Sequence, residues 1–330
     1  MRLLSRRQLL EGSASAVAAA AIPRRASADD YPSRAIRMVI PYTAGGAGDQ
    51  IGRLWADKSA SLLGPTYIEN IGGAGGALGC AAVARAAPDG YSLVLGNGST
   101  HVIIPLTSAN PGYDALRDFR ATYRLITTAL VFAVHPSLPV HDLQELIAYA
   151  RLNPGKISYG TPGLGTGNHL VGEMFKQQSG AVEIVHIPYR GITAATNDLV
   201  GGQIPLIIAV MSGQLLQLNE TGKLRLLAVT SESRLRSAPW IPTMIESGMP
   251  DLTYAGWFGL FAPGATPDAI VDRIAGATAI AMADPGLQES FRAQGMEPDT
   301  GSSPRQFQRL VEDEFARLSP VIKSIGLKRD

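Results

Sequence analysis

Cysteine is almost absent from this chain: Cys80 is the only one in 330 residues. A lone thiol excludes an internal disulfide and any cysteine-cluster metal site. Its small apolar neighbours, Leu78-Gly79 before it and Ala81-Ala82-Val83 after, point to a buried packing residue rather than a nucleophile. Charge of one sign is lacking too, with 29 Lys and Arg against 28 Asp and Glu. Nothing in that balance suits a nucleic-acid backbone or an anionic membrane surface. Metal-ligand spacing is missing, because the five histidines (101, 135, 141, 169 and 186) show no His-x-x-x-His pattern. There is no Gly-x-Ser-x-Gly elbow, no Gly-x-Gly-x-x-Gly and no Lys-Ser/Thr phosphate loop, so neither hydrolase nor nucleotide chemistry has its usual signature. No cofactor and no metal are expected. Short internal repeats and low-complexity tracts are absent.

What is present begins with Ser5-Arg6-Arg7-Gln8-Leu9-Leu10, followed by an apolar stretch over 14–22 and the small-residue site Ala26-Ser27-Ala28. This reads as a twin-arginine export signal over 1–28, cleaved before Asp29. The stretch is far shorter than the roughly 20 residues that cross a bilayer. The leader carries five arginines against one glutamate, so removing it takes the net charge from +1 to −3. A periplasmic, soluble, mildly acidic mature chain is the expectation.

Short β-branched runs then alternate with segments of helical period, the pattern of an α/β fold with a mostly parallel sheet. Strands are predicted at 36–40, 67–70 and 92–95, with helices over 49–63 and up to about 87. Residues 97–120 read as loop-rich. Residues 130–134 form a strand expected to cross into a second lobe. There the rhythm restarts, with helices near 141–151, 167–178, 192–200 and 212–220 and strands at 156–160, 183–187 and 203–209. The run 224–229 is expected to lead back to the first lobe. A strand at 255–261 and helices near 267–283, 285–294 and 303–324 complete the chain. The expected architecture is a hinged two-lobed clamshell with two crossover strands, each lobe a mostly parallel sheet flanked by helices. Lobe 1 would comprise 29–125 and 230–330, and lobe 2 residues 126–229. In such sheets ligands bind at the carboxyl ends of strands, which in a clamshell face each other.

Two glycine-rich strand-to-helix loops, one per lobe, would end at that cleft. The first is Pro41-Tyr42-Thr43-Ala44-Gly45-Gly46-Ala47-Gly48-Asp49. The second runs Thr161-Pro162-Gly163-Leu164-Gly165-Thr166-Gly167-Asn168-His169. Small residues leave amides open at a helix N-terminus, where the helix dipole favours an anion. Two positive helix ends in one cleft suit a carboxylate. Asp49 is read as a helix cap, with an acceptor for a ligand hydroxyl or amine as the alternative. His169 is read as bracing its loop, against the alternative of a base serving Ser99 or Thr166. Arg190, after the strand at 183–187, would either pair with a distal carboxylate or remain a solvated surface residue. Trp257 and Phe258 would line the mouth or fill the core.

At these loops the chain resembles the substrate-binding proteins of tripartite tricarboxylate transporters, the TctC or Bug family. The matching motifs are Pro41 to Asp49, Glu69-Asn70, Gly73-Ala74-Gly75-Gly76, Pro88-Asp89-Gly90-Tyr91 and Ser99-Thr100-His101. They continue with Gly165-Thr166-x-x-His169-Leu170, Pro188-Tyr189-Arg190-Gly191, Gly201-Gly202-Gln203 and Leu224 to Thr230, and close with Trp257-Phe258-Gly259-Leu260-x-Ala262-Pro263. The resemblance spans about 31–310. It implies an extracytoplasmic receptor closing on a small organic acid and delivering it to membrane permease subunits, as a monomer and without catalysis. It places the carboxylate on Ala44, Gly45, Gly46 and Asp49 in one lobe and on Gly163, Gly165, Thr166 and His169 in the other. Thr43, Ser99, Thr100, Tyr189 and Arg190, on adjoining loops, complete the candidate set. Thr43 and Gly48 stand where proline and a bulkier or hydroxyl residue are frequent in the family, and Ile71-Gly72 replaces a common Arg-Pro. A sensor reporting to a signalling partner and a periplasmic hydrolase are the competing readings.

Overall fold

A computed structural model describes residues 31–327 apart from Val182, so the export signal lies outside the described residues. From Pro32 onward the chain forms one compact unit. It opens with β1 (Ile36–Ile40), α1 (Ala47–Leu63), β2 (Thr66–Asn70), α2 (Ala77–Ala84) and β3 (Ser92–Asn97). Both β2 and β3 lie parallel to β1, placing the loops after β1 and β3 at the same sheet end. Where a loop was expected, a π-helical turn (Ser99–Ile103) runs into α3 (Ile104–Thr107). His101 wedges this turn in place. Its ring stacks on Phe261 at 3.8 Å and meets Phe119 edge-on at 4.8 Å. A Cβ on Gly96 would stand 2.3 Å from that ring, so only glycine fits beneath it.

Next comes β4 (Phe119–Val134), a strand of 16 residues where only its last five were predicted. Arg120 and Arg124 hid its first half, because they break the apolar run. Both are anchored by ion pairs, with Asp268 and Asp299 respectively. The chain continues through α4 (Leu143–Leu152), β5 (Ser158–Thr161), α5 (Gly167–Ser179), β6 (Val185–Pro188), α6 (Ile192–Val200), β7 (Leu206–Val210), α7 (Gly213–Glu220) and β8 (Arg225–Val229). It ends with β9 (Ala255–Pro263), α8 (Asp268–Met282), α9 (Pro285–Arg292), β10 (Met296–Pro298) and α10 (Pro304–Ser324).

The strand order is β2-β1-β3-β9-β4-β7-β5-β6, with β8 and β10 also pairing with β4. The first half of β4 pairs with β9 and β10, and its last five residues pair with β7 and β8. One strand therefore sews two half-sheets together, each with three parallel strands on its outer side. This is the two-lobed clamshell. Alternation along β4 builds the core of the second half. Leu130, Phe132 and Val134 face Leu146, Val171 and Phe175 of α4 and α5, while Ala129, Val131 and Ala133 face Leu199 and Leu215 of α6 and α7.

Candidate functional site

The loop from β1 to α1 is built around Asp49. At the third helical position, it accepts hydrogen bonds from the Gly45 N–H at 3.1 Å, Arg53 Nε at 3.0 Å and Asn70 Nδ2 at 3.1 Å. Burial alone would raise its pKa, but these donors outweigh it and hold the carboxyl below the usual range. The helix cap itself is Gly46, which contributes no side-chain bond. Asp49 thus reaches back to brace the loop, with its acceptors turned to the protein. The amides of Ala47 and Gly48, which have no partner one turn back, stay open. Gly46 has φ −83° and ψ 175°, extended backbone that any residue adopts. It is glycine for space.

The second loop satisfies itself. The Gly165 N–H donates to His169 Nδ1 at 3.2 Å, the His169 N–H to Thr166 Oγ1 at 3.3 Å, and Thr166 Oγ1 to the Gly163 carbonyl at 2.8 Å. Behind it His169 stacks on His186 at 4.0 Å, and His186 Nε2 meets Thr161 Oγ1 at 2.7 Å. Burial pushes His169 down to about 4, with Glu173 opposing the shift and Lys176 adding to it. It pushes His186 down to about 3, aided by His169 and Lys176. Both rings are neutral near pH 7.

These loops meet across an open cavity. The Gly167 N–H donates to Ser99 Oγ at 2.8 Å, and Thr193 Oγ1 to the Ala44 carbonyl at 3.3 Å. Where a Cβ on Gly75 would stand, the Leu164 carbonyl lies 3.0 Å away. One wall consists of helix beginnings: Gly46, Ala47 and Gly48 of α1, Gly167 and Asn168 of α5, and Ile192 of α6. Gly98 and Ser99 start the π-turn on the same side. The floor is sheet, with Thr128 beside Gly256 and Leu130 beside Val210 in register. Tyr42 and Tyr254 flank it, and both phenols are held neutral by burial, which raises their pKa values. Among the described residues no charged side chain lines the cavity.

Of the sequence-predicted set, Thr43, Gly46 and Ser99 line this cavity. Ala44, Gly45 and Asp49 form the loop behind it. Gly163, Gly165, Thr166 and His169 lie one layer back. Thr100 turns into the fold, bonded both ways with Asn97 at 3.0 Å. Tyr189 donates to Asp198 at 2.8 Å, and Arg190 is exposed and outside the lining. The hydroxyl of Ser99 bonds to no imidazole among the described residues, since His101 is locked in the core. The same residues include no group of three His, Cys, Asp or Glu placed for a metal. Sequence reasoning missed Asn168, Tyr254, Thr128, Leu130 and Ile192. Asn168 was within reach of inference, sitting one position into the helix that the second loop opens.

The sequence profile described as tripartite tricarboxylate transporter family receptor, TctC, matches residues 51–327. The chain belongs to this family. Solved structures bear out the resemblance. The periplasmic binding protein BugD is 33% identical, covering 91% of this chain and 100% of its own, with a TM-score of 0.86. R. palustris Rpa4515, solved with adipate, is 34% identical over 91% and 99% of the two chains, also at 0.86. MatC from Rhodopseudomonas palustris, solved with malate, is 27% identical over 88% and 100%, at 0.84.

In this TctC-family receptor the brace makes a first prediction. Asp49→Ala leaves the Gly45 N–H without its acceptor and Asn70 Nδ2 with the Tyr42 carbonyl alone. Stability should fall by roughly 1–3 kcal/mol, read as a lowered urea midpoint. Binding of any cavity ligand should weaken as well, because the open amides lose their fixed geometry. Unchanged stability would mean that Arg53 and Asn70 re-pair without the carboxylate.

Proposed function

We propose that the protein is an extracytoplasmic solute receptor that binds a small organic carboxylate between its lobes and passes it to the membrane permease subunits of a tripartite transporter. The observation carrying this reading is the cavity wall, where helix beginnings from both halves converge and, among the described residues, no charged side chain is present. Amides at helix N-termini hold an anion without a counter-charge. The adipate and malate found in Rpa4515 and MatC agree with a carboxylate ligand. We assign residues 29–125 and 230–330 to one lobe and 126–229 to the other. The protein acts as a monomer in the periplasm, after loss of residues 1–28, and without catalysis. No described helix is long and apolar enough to cross a membrane.

Thermal-shift screening of the purified mature chain against mono- and dicarboxylates tests the reading. A ligand at a hundred times its Kd adds about 2.7 kcal/mol, a rise of several degrees in Tm. No stabilisation by any acid of a broad panel, together with turnover of a model ester, would overturn it.

A further inference from the structure

Resting on the carboxylate-receptor reading, we infer that the ligand is a monocarboxylate with an uncharged, apolar body, because the cavity offers one open anion cradle and an apolar floor opposite it. The cradle is the start of α1, where Gly46, Ala47 and Gly48 reach the cavity with no capping side chain. The other helix beginnings bring fewer residues to the cavity, two from α5 and one from α6. The Gly163 N–H donates to Thr161 Oγ1, the Gly165 N–H to His169 and the Gly167 N–H to Ser99. At α6, whose Gly191 cap likewise contributes no side-chain bond, only Ile192 reaches the cavity, its side chain 3.5 Å from where a Gly46 Cβ would stand. A second carboxylate therefore finds no comparable set of donors.

Nor does it find a cation among the described residues that line the cavity. Arg53 is held by Asp49, Arg124 by Asp299 and Lys176 by Glu173, and Arg190 lies outside the cavity. The acidic Glu314 stands behind the wall instead, accepting from Trp257 Nε1 at 2.7 Å and lying 3.7 Å from where a Gly98 Cβ would be. The apolar surfaces in the lining are Leu130, Val210, Phe258 and Ile192, with the neutral Tyr42 and Tyr254 flanking them. The floor's polar side chain, Thr128, turns its hydroxyl to the Ala129 carbonyl at 3.4 Å. An ionised group set against these would be desolvated and unpaired, whereas a methylene chain or aromatic ring gains by burial there.

Matched acids differing only at the distal end isolate this choice. Calorimetric titration of the mature protein should give hexanoate a Kd at least tenfold below those of adipate and 6-aminohexanoate. It should likewise place 4-methylbenzoate at least tenfold below terephthalate, the comparison being read in whichever series binds. Adipate or terephthalate binding as tightly as its monoacid would overturn the inference and leave the receptor reading standing. Tighter 6-aminohexanoate would do the same and point to a zwitterionic ligand. If none of the five binds to protein that melts cooperatively, the inference falls, while the carboxylate reading stands or falls with the broad acid panel.

Discussion

Gly46→Val is expected to weaken ligand binding by at least a hundredfold while the protein still folds. The backbone at Gly46 already sits at φ −83° and ψ 175°, so a side chain introduces no strain. A Cβ there meets nothing nearer than Ile192 Cγ2 at 3.5 Å and the Thr43 carbonyl at 4.0 Å. The isopropyl group would therefore occupy the cavity in front of the α1 amides, where the carboxylate is proposed to lie. It would also push against Ile192, the first residue of α6, and hold the two halves apart. A hundredfold loss corresponds to about 2.7 kcal/mol. Replacing a glycine cap by a β-branched residue costs at most about 1 kcal/mol, a shift of a few degrees in Tm for a chain of this size. Titration of the best-binding acid against variant and parent, with melting curves for both, separates the two effects. Retained affinity would move the site away from α1.

The local signals in the sequence proved sound where one element sufficed to explain them. β1 occupies residues 36–40 as its apolar run required, and both glycine loops do join a strand to a helix. Longer-range features were hidden. The first half of β4 carries arginines whose partners, Asp268 and Asp299, lie about 150 to 175 residues away, so its alternation resembled loop. The π-turn at Ser99 depends on His101 finding Phe261, a contact no local pattern encodes. The candidate site was half legible for a related reason. Glycine, Thr166 and His169 mark the second loop correctly, yet they spend their polar groups on one another and leave the cavity to Pro162, Gly167 and Asn168. The floor residues come from three strands. An apolar residue facing a cavity has the same periodicity as one facing the core, so Leu130 and Val210 looked like core alone.

That reliance on neutral groups has a consequence for pH. Three buried histidines, His101, His169 and His186, are pushed down to about 3, 4 and 3, foremost by burial. The groups facing the stacked pair are Glu173, which favours a charge on His169, and Lys176, which opposes it on both rings. Each of the three would titrate near 6.5 when unfolded. Folded pKa values below the unfolded one mean that the unfolded chain binds more protons in the interval between them. The stability from neutral histidines is therefore complete above about pH 6.5 and is lost progressively as the pH falls towards 4. Each proton adds about 1.4 kcal/mol per pH unit, so three give roughly 4 kcal/mol per unit near pH 5. Partial exposure of His186 trims that figure. Even so, the loss by pH 4.5 is comparable to the roughly 5–15 kcal/mol that holds a domain folded. Urea midpoints measured from pH 8 to pH 4.5 should be flat down to about 6.5 and then fall steeply. His101→Leu keeps an apolar filler against Phe261 and removes one titrating group, so its slope below pH 6 should lessen by about one proton. A midpoint that stays level between pH 7 and pH 5, or a slope unchanged in the variant, would mean that these rings take up protons without leaving their stacked positions.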